Sequence, residues 1–235
     1  MTRIEIVNMS ARPLKLFIAC LVLITVSACS STGGDLPDPT PLEGFEQQVE
    51  LVEHWSVSVG KGDVEASSVM QPVLSANAIF AASGQQLGSF NLDTGAVNWK
   101  TDLAQPVTAG VGQINEQLFV VTRSGKLVSV SSVDGSVLWQ VNASSEALAA
   151  PQANNEIVVV QTVDGKVSAY SITDGNFQWS YSANLPSLTL RGTSTPLVTK
   201  SYTYAGFASG KLVALDNQAG NLVWQKSISS AQGRS

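Results

Sequence analysis

The segment Asn91-Leu92-Asp93-Thr94-Gly95-Ala96-Val97-Asn98-Trp99 decides how this chain folds, because the chain returns to its pattern. Trp99, Trp139, Trp179 and Trp224 follow one another at intervals of 40, 40 and 45 residues, and Gly95, Gly135, Gly175 and Gly220 each stand four positions before one of them. Trp55 precedes Trp99 by 44 residues. Self-similarity with a period of about 40–45 residues is the mark of propeller blades.

Working outward, the units align beyond the Gly–Trp pair. Gly125-Lys126-Leu127-Val128-Ser129-Val130, Gly165-Lys166-Val167-Ser168-Ala169-Tyr170 and Gly210-Lys211-Leu212-Val213-Ala214-Leu215 occupy one position of the repeat, and Gly84 opens the same unit with one extra residue. Upstream lie the short apolar runs Ile79-Phe80, Leu118 to Thr122, Ile157 to Thr162 and Tyr202 to Phe207. Runs rich in Val, Ile and Tyr bounded by Gly and Asp read as strands. The Gly-Lys steps read as hairpins in which glycine supplies positive φ, and the Asp-Gly steps as the next turn. No stretch shows sustained helical periodicity with caps.

Each unit therefore predicts four antiparallel strands, too few to cover their own faces, so the sheets must stack around an axis. The fold class is all-β, a propeller of four-stranded blades with repeats near 68–102, 107–142, 147–182 and 192–228. The repeated Trp is expected to pack between neighbouring blades. Residues 48–59, with Trp55, read as a lone outer strand that would complete a last blade. With no closing sequence after the fourth Trp strand, the chain reads as an N-terminal portion of a longer propeller.

The composition restricts the chemistry. The 235 residues are 44% hydrophobic and 13% charged, with 13 Lys and Arg against 18 Asp and Glu and a net charge of -5. Nucleic acid is excluded as a partner, since phosphate binding needs clustered Lys and Arg. His54 is the only histidine, and Cys20 and Cys29 are the only cysteines. The repeats thus hold no multi-His or Cys metal site, no disulfide and no thiolate nucleophile. No metal, no cofactor and no catalytic residue is expected. The aspartates at 93, 134 and 174 recur at turns and read as local hydrogen-bonders.

The first 28 residues read as an export signal: Arg12 and Lys15 precede the apolar run Leu16 to Val26. Glu5 is foreign to a basic leader, so Met9 is the cleaner start. Val26-Ser27-Ala28-Cys29 resembles the bacterial lipobox, which implies lipidation at Cys29 and stable anchoring by several acyl chains. Ser30, rather than Asp, favours the outer membrane over the inner one. Residues 29–47, with Pro37, Pro39 and Pro41, read as a flexible tether, and 48–235 as a partial propeller.

The Asp-Thr-Gly-x-x-x-Trp pattern at Asp93–Trp99 looks like the repeat of pyrroloquinoline-quinone-type propellers. Together with the lipobox and with Asn184-Leu185-Pro186-Ser187-Leu188-Thr189-Leu190-Arg191-Gly192, it makes the chain resemble the BamB family of outer-membrane lipoproteins over about residues 12–235. The resemblance implies an eight-bladed propeller without quinone chemistry, of which about four blades are present. It implies a periplasm-facing scaffold of the β-barrel assembly machinery that binds the BamA-type insertase and aids insertion of unfolded outer-membrane proteins. Contacts to the insertase are implied at Leu188, Leu190 and Arg191, while the family's acidic contacts would follow Ser235.

Read from the residues alone, the connection at 181–195 stays open between two forms. It is either a protruding contact, with two leucines as anchors and an arginine as bidentate donor, or an ordinary strand entry with both leucines on one face. Two other functions remain to be weighed: an envelope lipoprotein propeller that scaffolds another complex, and a fragment of a quinone-dependent dehydrogenase. The second would need a catalytic Asp, calcium ligands and often a vicinal cysteine pair.

Overall fold

The computed structural model describes residues 41, 44, 48–62, 70–184 and 193–228. The chain divides into the units Met1–Leu51 and Val52–Ser235. The described residues of the first carry no regular secondary structure. The second holds four four-stranded antiparallel sheets.

Blade 1 is β1 (Val73–Leu74), β2 (Ala78–Ser83), β3 (Gln86–Asn91) and β4 (Val97–Asp102). Blade 2 is β5 (Gly112–Ile114), β6 (Gln117–Val121), β7 (Lys126–Ser131) and β8 (Val137–Asn142). Blade 3 is β9 (Gln152–Ala153), β10 (Ile157–Gln161), β11 (Lys166–Ser171) and β12 (Phe177–Ser182). Blade 4 is β13 (Leu197–Val198), β14 (Tyr202–Gly206), β15 (Lys211–Asp216) and β16 (Leu222–Ser227). Every sheet pairs its strands in chain order. The short first strands β5, β9 and β13 adjoin one another, so they lie innermost.

The strands form where the sequence places β-branched and aromatic residues, and they turn where glycine permits it. Gly84, Gly125, Gly165 and Gly210 close the second-to-third strand hairpins with φ from +56° to +81°. The third-to-fourth turns use Gly95, Gly135, Gly175 and Gly220, with φ of +69° to +76°. The same register shift recurs just before that turn, at Ser89/Phe90, Ser129/Val130, Ala169/Tyr170 and Ala214/Leu215. Such a bulge bends the strand and strengthens its twist, as a radial stack of blades requires.

The core lies between sheets. One cluster joins Phe80 and Leu87 of blade 1 to Leu118 and Val128 of blade 2. A second joins Phe119 and Leu127 to Val158 and Tyr170, and a third joins Val159 and Trp179 to Ala205 and Leu215. Middle strands are buried on both faces, as in β10, whose five residues are all buried. The fourth strands bury alternate residues at most.

The expected outer strand at 48–59 differs. No ladder forms there, because among the described residues no other strand lies alongside to pair with it. Within the second unit the segment still crosses blade 1 as a fourth strand would. The Trp55 indole N–H donates to the Leu92 carbonyl at 3.0 Å. Six residues on, the carbonyl of Lys61 comes within 2.6 Å of where a Cβ on Gly84 would stand. Gln105, six residues after Trp99, likewise meets the following blade's hairpin, its side-chain oxygen accepting from the Thr122 hydroxyl at 3.3 Å.

Candidate functional site

The repeated residues assemble into one joint, used four times. Trp99, Trp139 and Trp179 each sit on a fourth strand, and each indole N–H donates to the carbonyl of the first residue after the following blade's third strand. The distances are 3.0 Å for Trp99 to Ser132, 3.0 Å for Trp139 to Ile172 and 2.9 Å for Trp179 to Asn217. Trp55 makes the same bond to Leu92 of blade 1. The ring lies flat on the turn's glycine. A Cβ on Gly95, Gly135, Gly175 or Gly220 would stand 2.5–2.7 Å from the carbons of Trp55, Trp99, Trp139 and Trp179, respectively. Glycine is therefore required twice over, for positive φ and for contact with the ring. Trp224 has no blade over it among the described residues and is 38% exposed, against 4% for Trp179.

The turns beneath the rings are held by their own side chains. The Asp134 carboxylate accepts from the Ser136 N–H at 3.0 Å and its hydroxyl at 2.8 Å. Asp174 accepts from the Asn176 N–H at 3.1 Å, and Asp216 from the Ala219 N–H at 2.8 Å. These bonds hold the carboxyls below the ordinary aspartate range. The leading cause is the Ser136 amide for Asp134, the Ser171 hydroxyl for Asp174 and the Ala219 amide for Asp216. Asp93 departs from the expectation. Its turn is held by the Asn91 amide oxygen, which accepts from the N–H groups of Asp93 at 3.0 Å and Thr94 at 2.9 Å.

Sequence reasoning missed a second class of joint, in which buried or half-buried polar side chains reach the next blade's backbone. The Thr108 hydroxyl donates to the Ala147 carbonyl at 2.8 Å, and Gln161 Nε2 to the Gly206 carbonyl at 2.7 Å. Gln117 Nε2 reaches the Ile172 carbonyl at 3.2 Å, beneath Trp139. These residue types fall at no common repeat position, so no column of the alignment marks them.

The two ends of the ring carry different chemistry. One end holds the first-to-second and third-to-fourth turns, tied by backbone bonds such as Ser132 N–H to the Glu116 carbonyl. The opposite end holds the second-to-third hairpins and the links between blades, tied by bonds such as Ala143 N–H to the Gly125 carbonyl. At that end Asp164 accepts from Thr162 at 2.6 Å and Ser144 at 3.1 Å, and pairs with Lys166 at 3.3 Å. Burial raises its affinity for a proton, but these three partners outweigh it and the carboxyl lies below the ordinary range. A recess of about 620 Å³ opens here between Ser58–Lys61 and Lys100 of β4. Lys100 Nζ donates to the Ser58 carbonyl at 2.8 Å across it. Among the described residues no three His, Cys, Asp or Glu side chains cluster as metal ligands.

Cys29, Leu188, Leu190 and Arg191 lie outside the described residues. What is placed is where the segment carrying Leu188, Leu190 and Arg191 attaches to the blades. The connection between β12 and β13, residues 183–196, is the longest between blades, against 103–111 and 143–151. It leaves and rejoins the ring at the hairpin end.

The family model described as outer membrane protein assembly factor BamB matches residues 83–235. The chain belongs to the BamB family. The BamB of Pseudomonas aeruginosa is 50% identical over 216 residues, covering 92% of this chain and 57% of that protein. The BamB of Escherichia coli K12 is 34% identical, with 93% and 59% covered. The chain thus spans a little over half the length of these BamB relatives. The crystal structure of BamB from Moraxella catarrhalis superposes with a TM-score of 0.67 at 26% identity, over 75% of this chain and 54% of that one. A quinohemoprotein alcohol dehydrogenase from Pseudomonas putida superposes at 0.57 with 15% identity, a likeness of fold alone.

Proposed function

We propose that this chain is the lipid-anchored, periplasm-facing part of an outer-membrane assembly scaffold, held in the membrane through acylated Cys29. It binds the BamA-type barrel insertase, helps unfolded outer-membrane proteins to insert, and catalyses no reaction. Membership of the BamB family carries this reading, since the curated relatives are named outer membrane protein assembly factors. The repeated Trp and Gly residues spend their chemistry on joining blades, which suits a rigid support rather than a reaction centre.

In this reading Leu188, Leu190 and Arg191 contact the insertase, with the leucines as apolar anchors and the guanidinium as a bidentate donor. The test is affinity capture from detergent-solubilised envelopes with Cys29 intact, blotting for the insertase. The parent chain recovers it and Arg191→Glu does not. Equal recovery by both would remove the arginine from the contact. No recovery by either, repeated with a chain extended past Ser235, would refute the insertase as partner.

A further inference from the structure

The repeated joint leaves two unmatched halves on one chain. Trp224 stands where Trp99, Trp139 and Trp179 stand, yet among the described residues no turn receives its indole. The Gly95 turn of blade 1 is built like the other three, yet the ring that covers it comes from a segment that belongs to no sheet. Blade 4 thus carries a free donor, and blade 1 an acceptor held by a single unpaired segment.

The face around Trp224 has the composition of a buried one. Strand register aligns Tyr202, Tyr204, Leu212 and Trp224 of blade 4 with Ile157, Val159, Val167 and Trp179 of blade 3. In blade 3 those four pack against blade 4 and are 0–6% exposed. In blade 4, Tyr202 is 41% and Trp224 38% exposed, and Tyr204 and Leu212 are half-buried. Single exposed apolar residues are ordinary, whereas a contiguous set on one face marks a contact.

The charges of the two halves match. Two residues after each Trp, a side chain meets the next blade: the Thr101 hydroxyl donates to the Gly135 carbonyl at 2.6 Å, and Tyr181 packs on Phe207 with ring centroids 6.1 Å apart. The series runs Thr101, Val141, Tyr181 and Lys226, so blade 4 alone presents a cation there. On the receiving side, the residue after the acceptor carbonyl is Asp93, Val133, Thr173 or Gln218, so blade 1 alone presents an anion. Asn91 holds that turn in place of Asp93, whose carboxylate is left for another partner. Lys226 has no ion pair among the described residues. Within one chain blades 2 and 3 stand between these halves, so they can meet only in a second copy.

We propose that two copies of this chain join head to tail, the Trp224 strand of each seated on the Gly95 turn of the other in place of that copy's Trp55. Such a contact is heterologous and closes into a ring only when the rotation per copy divides the circle. The chain covers 54% of the Moraxella catarrhalis BamB, so two copies supply the blades of about one such propeller. Exchanging the rings breaks one indole bond and forms another, while the apolar face of blade 4 is newly buried. The Trp55 segment is then a displaceable cover, which holds the seat in the dilute chain and yields to a second copy at high concentration.

Sedimentation velocity tests this on the chain with Cys20 and Cys29 both changed to Ser, from about 1 to 100 μM. The parent should pass from monomer to dimer across that range. Trp55→Ala frees the seat and should tighten dimerisation about tenfold or more, while Trp224→Ala should weaken it about thirtyfold or more. Circular dichroism confirms that both variants fold. In the same background, a short bismaleimide should link a mixture of Asp93→Cys and Lys226→Cys chains and neither variant alone. Three results would each overturn the proposal: parent and Trp55→Ala chains that both stay monomeric, a Trp224→Ala chain that dimerises like the parent, or links in the single-variant samples and none in the mixture. All three leave the insertase reading as it stands, because that contact is read by capture from envelopes.

Discussion

Trp179→Ala and Trp224→Ala remove the same ring from the same position of the repeat, yet they should differ sharply in cost. Trp179 is 4% exposed, covers Gly220 and donates to the Asn217 carbonyl at 2.9 Å. Emptying that site should cost about 3–5 kcal/mol for the lost ring and its cavity. Leaving the carbonyl without its donor adds about 1 kcal/mol. Trp224 is 38% exposed and touches Tyr204 of its own blade, with ring centroids 5.9 Å apart. Its loss should cost roughly 0.5–1.5 kcal/mol. A gap of about 3 kcal/mol is more than a hundredfold in the unfolding equilibrium, and the larger loss is a serious fraction of the ~5–15 kcal/mol a domain commonly holds. Urea unfolding followed by far-ultraviolet circular dichroism measures both variants without depending on tryptophan emission. Equal losses would refute the reasoning, because they would mean that the ring stabilises its own sheet and not the joint between sheets.

Two further outcomes follow from the same joint. Gly135→Ala places a methyl 2.6 Å from both Trp99 and the Thr101 hydroxyl, at a φ of +76°, and should cost about 2–4 kcal/mol in urea unfolding. Gly62→Ala meets nothing within 4 Å and should change stability by less than about 0.5 kcal/mol, so parity between the two would discredit the close approach. Acid should loosen the turns: Asp134, Asp174 and Asp216 have folded-state pKa values below the ordinary 3.8. The native state then binds fewer protons than the unfolded chain, so their contribution is complete above 3.8 and is lost as pH falls through the folded values. Melting temperatures recorded from about pH 6 to pH 2 should fall at the acid end, and less steeply when all three are changed to Asn; identical slopes would show that the turns do not hold these carboxylates.

The recurrence of Gly95 and Trp99 was enough to state the blade, its four strands and its two glycine turns, because a hairpin is set by residues adjacent in sequence. It was also enough to place the Trp between blades, since one bulky ring repeated on an outer strand has only a neighbouring sheet to bury it. The expected strand at 48–59 was not decided in this way. Its residues alternate suitably, but a strand exists only with a partner to pair with, and pairing is a property of the whole sheet.

Length, composition and period determined the class of this molecule, because they reflect local geometry repeated along the chain. The tertiary structure alone decided which carbonyl each indole meets, where Thr108, Gln117 and Gln161 cross between blades, and that Asn91 replaces Asp93 as the acceptor in its turn. It alone sorted the charges as well. Glu116 and Lys126 are ten positions apart in sequence but stand at opposite ends of the ring, because a single strand and its turn carry the chain from one end to the other.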